Sequence, residues 1–164
     1  MRRTAILGLW AALVWTAWAA GPVEFGKQEL ESALAARKIS PKRFRVVTEV
    51  TTSAAESFRI LPGQISGGDI RGLMYGLIEA AEQVRERGRL LPLRGSPAIA
   101  IRGVRVIIRA EDLQKEWYNS HAWWQEFCAM LARGHFNRLN AVYTTSAAAA
   151  LAAGPNLDML GDIS

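Results

Sequence analysis

From Val23 to Arg37 the apolar residues Phe25, Leu30, Ala33 and Leu34 recur at helical spacing among Glu and Lys, which predicts an amphipathic helix. Ser40-Pro41 breaks that pattern. Arg45–Val50 is a β-branched run and predicts a strand, and the small, polar stretch Thr51–Ala55 predicts a loop. Ser57–Leu61 predicts a second strand, turned at Pro62-Gly63 into a short hairpin partner, Gln64–Ser66. The period then returns to helical: Leu73, Leu77, Ala80, Ala81 and Val84 form one stripe, closed by the charged exit Arg85–Arg89 with Gly88 as its C-cap.

The start of this second helix carries the densest information. In Gly67-Gly68-Asp69-Ile70-Arg71-Gly72-Leu73-Met74-Tyr75-Gly76, the Asp69 carboxylate can accept from the free N–H groups of the first turn, and its charge suits the helix dipole. Gly72 and Gly76 are four residues apart and share a face. Each costs a helix about 1 kcal/mol relative to alanine, and close approach of the helix to a sheet is the usual compensation. Asp69 and Arg71, charged and flanked by glycines, also suggest an anion site at a helix start. The segment is no GxGxxG, however, and Asp69 would repel a phosphate, so capping and packing are the expected roles.

Leu90–Pro97, with two prolines and a glycine, predicts a linker and a domain boundary. Ile99–Ile108 then predicts a strand, Ala110–Ser120 a loop or short helical turn, and Trp123, Trp124, Phe127, Cys128, Leu131 and Ala132 one face of a helix that Gly134 ends. Leu139–Tyr143 predicts the returning strand. Strand, helix and strand in about 45 residues make one βαβ unit, parallel and right-handed. The fold class expected is α/β: an accessory domain over residues 21–93 with helices on one face of a small sheet, then an incomplete (β/α) barrel unit over residues 98–143. Residues 144–164, alanine-rich and then weakly acidic, fit neither and form an atypical tail.

Composition modifies this picture at the front. Met1-Arg2-Arg3 is followed by an uncharged apolar run to Trp18, and Ala17-Trp18-Ala19 fits the small-x-small cleavage rule. Residues 1–20 are therefore read as a secretory signal peptide, which predicts a secreted or periplasmic product with no membrane attachment after cleavage. The net charge of +5 is scattered among acids, as in Arg85-Glu86-Arg87, and no nucleic-acid motif accompanies it, so no nucleic-acid partner is expected. Cys128 is the single cysteine, which excludes an intrachain disulfide framework. With two histidines, His121 and His135, and no CxxC or HxxxH spacing, no metal site and no cofactor are expected.

Four segments in order carry a family resemblance. They are Glu56-Ser57-Phe58-Arg59-Ile60; Gly68-Asp69-Ile70-Arg71-Gly72-Leu73-Met74-Tyr75-Gly76; Ile101-Arg102-Gly103-Val104-Arg105; and Trp123–Phe127 with Ala132-Arg133-Gly134-His135-Phe136-Asn137-Arg138-Leu139-Asn140. Over Val23–Tyr143 the chain resembles the N-terminal α/β domain and first barrel elements of beta-hexosaminidases, alpha-glucuronidases and related barrel glycoside hydrolases. The resemblance implies an accessory domain in which Asp69, Arg71, Gly72, Tyr75 and Gly76 are structural, followed by the first barrel strand, first helix and second strand. It also implies that the paired catalytic carboxylates of such enzymes lie on later barrel strands, so that no catalytic residue is assigned here and the fragment has no activity of its own. A complete barrel needs about 250 residues. By the same resemblance Arg109, just past the first barrel strand, stands near the place of an arginine that holds sugar hydroxyls; its alternative is a strand-end arginine paired with Glu111 or Asp112. Tyr118, in the loop, is the second candidate for sugar contact; Trp117 and Trp124 could also stack on a sugar face, but an aromatic helix stripe is more often core. Glu111, Asp112 and Glu116 read as loop charges, because glycoside hydrolysis needs two opposed carboxylates that one βα unit cannot position. Carbohydrate is the partner this implies, with association through exposed barrel strands as a further expectation. The alternative to an enzyme fragment is a non-enzymatic carbohydrate- or partner-binding module.

Overall fold

The computed structural model describes residues 21–144 apart from Arg43. The proposed signal peptide, and the alanine-rich tail beyond Thr144, lie outside the described residues. The first unit opens with α1 (Pro22–Ala36), whose proline sits in the first turn, where a missing N–H costs nothing. Strands β1 (Val47–Val50), β2 (Phe58–Leu61) and β3 (Gln64–Gly67) follow, then α2 (Ile70–Arg87) and the short β4 (Leu93–Gly95). The sheet runs in the order β1-β3-β2-β4, with β1 parallel to β3 and the other two pairs antiparallel. Both helices cover one face. Leu30, Ala33 and Leu34 of α1 meet Leu73, Leu77, Ala80, Ala81 and Val84 of α2 over Ile60 and Ile65 of the sheet.

Close approach governs this packing. A Cβ on Gly72 would be driven into the Ser57 carbonyl, and one on Gly76 would lie 2.9 Å from Ile65 Cγ2 and 3.2 Å from Phe58 Cβ. Asp69 Oδ1 accepts from Gly72 N at 2.6 Å and fixes where the helix begins. At the other end, Gly88 adopts φ +69° and returns its N–H to Val84 O.

The second unit is β5 (Gly103–Ile108), a 3-10 turn over Ala110–Gln114, α3 (Glu116–Asn119), α4 (His121–Arg133) and β6 (Arg138–Tyr143). Strands β5 and β6 pair in parallel from Gly103↔Arg138 to Ile108↔Tyr143. The fold is thus α/β, and no barrel closes among the described residues. Alternation places Ile108 and Tyr143 on one side of this two-stranded sheet, and Arg105, Ile107, Asn140 and Val142 on the other, where Ile107 and Val142 are exposed. No described helix is long and apolar enough to cross a membrane.

Two local expectations are corrected. Leu93–Gly95 lies inside the segment read as a linker, yet it pairs with Phe58–Ile60 as an edge strand. Its run of three residues is too short to show a period. The strand expected over Ile99–Ile108 forms only from Gly103, because the side chain and backbone of Asn137 hold Arg102 N and O outside the ladder. Gly134 ends α4 as expected, at φ −80°, and the left-handed position falls on the next residue, His135 (φ +58°), whose ring packs against Tyr75.

Candidate functional site

Glu56 is the focus of the interface between the two units. It sits in the loop before β2 at φ +57°, a region that residues with a Cβ seldom adopt. Its buried carboxylate collects donors from both units. Arg71 Nη1 of α2 lies 3.1 Å from Oε1, Arg102 Nη2 lies 2.6 Å from Oε2, and Asn137 Nδ2 reaches both oxygens at 3.0 and 3.2 Å. Burial pushes the Glu56 carboxyl up, but hydrogen bonds from Arg102, Asn137 and Arg71 outweigh it and hold the group below the ordinary carboxylate value.

Arg102 also donates to His135 O at 2.7 Å and lies over the ring of the buried Tyr75, 5.8 Å from its centroid. Tyr75 stacks on His135 at 4.5 Å and donates to Phe136 O at 3.4 Å. Burial lowers the His135 pKa, with Glu79 opposing; Nε2 lies 3.4 Å from Glu79 Oε1 but lacks hydrogen-bond alignment. A second contact repeats the logic: Glu29 of α1 takes Arg85 of α2 at 2.7 Å and Arg133 of α4 at 2.8 Å. These clusters are structural joints. They hold no nucleophile beside a base and no group of residues suited to a metal among the described residues.

The C-terminal ends of β5 and β6 are where a barrel would place chemistry. Arg109 follows β5 with an exposed side chain 3.8 Å from Glu111 Oε1, a loose pair. Asp112 is buried, accepts from Arg109 N at 2.9 Å and pairs with Lys115 at 2.9 Å; that lysine, first, and the Arg109 backbone hold its carboxyl below the usual range. Glu116 begins α3. Tyr118 lies 3.4 Å, oxygen to oxygen, from Tyr143 at the end of β6, and its carbonyl accepts from Trp124 Nε1 at 2.9 Å. Burial and then Tyr118 push the Tyr143 hydroxyl pKa up. No hydrogen bond joins Arg109 to Tyr118.

Trp117, Trp123, Trp124 and Phe127 form one ring-to-ring cluster beside these strand ends. Trp124 is buried while Trp123 is 37% exposed. Cys128 is half-buried, and burial raises its thiol pKa. Glu56, Arg102, His135 and Asn137 all fall in the segments that carry the family resemblance. Their separation in sequence gave no sign that they meet.

No protein-family model matches the chain, and no curated protein matches it. Among solved structures, it is similar to a GH138 enzyme targeting pectin rhamnogalacturonan II, with a TM-score of 0.58 and 18% identity over 72% of this chain. The match spans 22% of that protein's length. At this identity the likeness is one of fold, to part of a glycoside hydrolase.

Proposed function

We propose that this chain supplies the accessory α/β domain and first strand–helix–strand of an exported glycoside hydrolase of the beta-hexosaminidase/alpha-glucuronidase-like kind, acting on polysaccharide or oligosaccharide. The observation that carries this reading is the order of parts: a two-helix, four-stranded domain joined through Glu56 to a parallel βαβ unit, as in part of a solved glycoside hydrolase. In this reading residues 1–20 direct export to the periplasm or exterior, and the accessory domain braces the barrel. Arg109 and Tyr118 contact sugar hydroxyls near the strand ends, the guanidinium donating and the phenol doing either. Hydrolysis itself belongs to carboxylates outside the described residues.

A binding module without hydrolysis is the second reading. It is favoured by the state of the nearby acids, since Glu111 faces Arg109 and Asp112 is held by Lys115. The test is paired: turnover of aryl glycosides by the purified chain, and its retardation in gels containing soluble polysaccharides. Retardation without turnover is expected. Turnover would overturn the assignment of hydrolysis elsewhere, and failure of every glycan to retard the chain would overturn the carbohydrate reading.

A further inference from the structure

The face of the four-stranded sheet opposite the helices is open among the described residues, and it carries two arginines that no described residue pairs. Strand register sets one row across it: Glu49 of β1, Ser66 of β3, Arg59 of β2 and Arg94 of β4. Arg59 and Arg94 are direct partners in an antiparallel pair, so their Cβ atoms are about 5 Å apart, an arrangement that is destabilising for like charges. Neither guanidinium makes a hydrogen bond or ion pair with any described residue. Glu49 is occupied at the far end of the row, where Gln64 Nε2 donates to it at 2.7 Å. It stands two strands, about 10 Å, from Arg59. The row forms the floor of a concavity of about 630 Å³, walled by the Thr51–Ser57 loop and the end of β4. That volume is in the range of ligand sites.

We propose that this face binds an acidic polysaccharide, with the carboxylate of a uronate residue held between Arg59 and Arg94; the proposal rests on the carbohydrate reading above. Two planar guanidinium forks side by side match a carboxylate in bidentate geometry. The Ser66 and Ser96 hydroxyls, which make no side-chain hydrogen bond to described residues, supply partners for neighbouring sugar hydroxyls. Glu49, at the other end, excludes a second carboxylate there and sets the direction of the chain. A nucleic acid fits less well. Single-strand binding relies on aromatic platforms, and the one aromatic residue bordering this concavity, Phe58, packs its ring toward Gly76 and Gly95.

The experiment is a titration of the full chain with polygalacturonate, with its fully methyl-esterified and therefore neutral form, and with single-stranded RNA. It is repeated for R59Q, R94Q and the control R105Q, which alters an exposed arginine on the other sheet. Arg59 and Arg94 are exposed, so both variants should keep the parent circular dichroism, with a melting temperature no lower than the parent's because each relieves a like-charge pair. The expected result is binding of the acid form that weakens with salt, little binding of the ester, a loss of about tenfold in R59Q and in R94Q, and no change in R105Q. Equal binding of acid and ester, untouched by R59Q and R94Q, would overturn this site while leaving a carbohydrate-binding chain. Binding of RNA as tight as that of polygalacturonate would overturn the uronate assignment, and binding of neither polysaccharide form would overturn both readings.

Discussion

At the scale of single residues, the most consequential side chain is Glu56, which accepts from three side chains drawn from both units. Replacing it by alanine leaves Arg102, only 19% exposed at its side chain, without its carboxylate. The expected cost is about 2–3 kcal/mol, read from urea denaturation. The pH dependence follows from the direction of its shift. Its folded pKa lies below the ordinary value of 4.5, so its contribution is complete above that value and is lost as pH falls through the folded pKa. Glu29 behaves likewise, since hydrogen bonds from Arg133 and Arg85 outweigh the upward push of burial. Stability should therefore decline through acid pH, and because burial also lowers the His135 pKa from its ordinary value of 6.5, the decline begins near that value before the two carboxylates add to it. The gap between the parent and E56Q should close as pH falls through the folded Glu56 pKa, because protonation removes the charge that E56Q has already removed. A gap independent of pH would show that the Glu56 charge does not matter. None of this was legible in advance: Glu has no preference for a left-handed backbone, and its partners at Arg102 and Asn137 are far away in sequence.

At the scale of elements, the second helix was readable because its constraints are local. The apolar stripe, the Asp69 cap, the Gly88 exit and the two glycines each follow from spacing. The structure adds what the glycines approach. Gly72→Ala gains about 1 kcal/mol of intrinsic helix propensity, but its methyl meets the Ser57 carbonyl, which cannot move without shifting β2. Gly76→Ala instead meets the methyl of Ile65 at 2.9 Å and Phe58 Cβ at 3.2 Å, and side chains yield more easily than backbone. G72A should lose about 2–4 kcal/mol in urea unfolding and G76A about 1 kcal/mol. Equal losses would contradict the difference in what each glycine faces. Asp69→Ala should cost about 1 kcal/mol in the same assay, the usual value of an N-cap. The strands were less legible than the helix. β4 has three residues, and β5 starts four residues after its apolar run does, because pairing partners rather than propensity end a strand.

At the scale of the whole molecule, the two units differ in how well each is closed. The first has a sheet covered on one face and its own buried core, while β5 and β6 form a two-stranded sheet whose outer edges pair with no other strand among the described residues and whose exposed face includes Ile107 and Val142. A two-stranded sheet is marginal by itself, and open edges invite pairing with another chain. The chain from Gly21 onward should therefore associate, with sedimentation showing a mass that rises with concentration. A chain ending at Pro97 should stay monomeric and folded. That shortened chain lacks Trp117, Trp123 and Trp124, so its unfolding must be followed by circular dichroism or by Tyr75. It also lacks Arg102 and Asn137, leaving Glu56 with Arg71 alone. The cost of E56Q should then fall from about 1–2 kcal/mol in the longer chain to within about 0.5 kcal/mol, the value of an exposed pair. A monomeric longer chain would remove the case for open edges, and an unfolded shorter one would mean that the Glu56 and Glu29 joints are part of the first unit's own stability. An undiminished effect of E56Q in the shorter chain would place its role within the first unit.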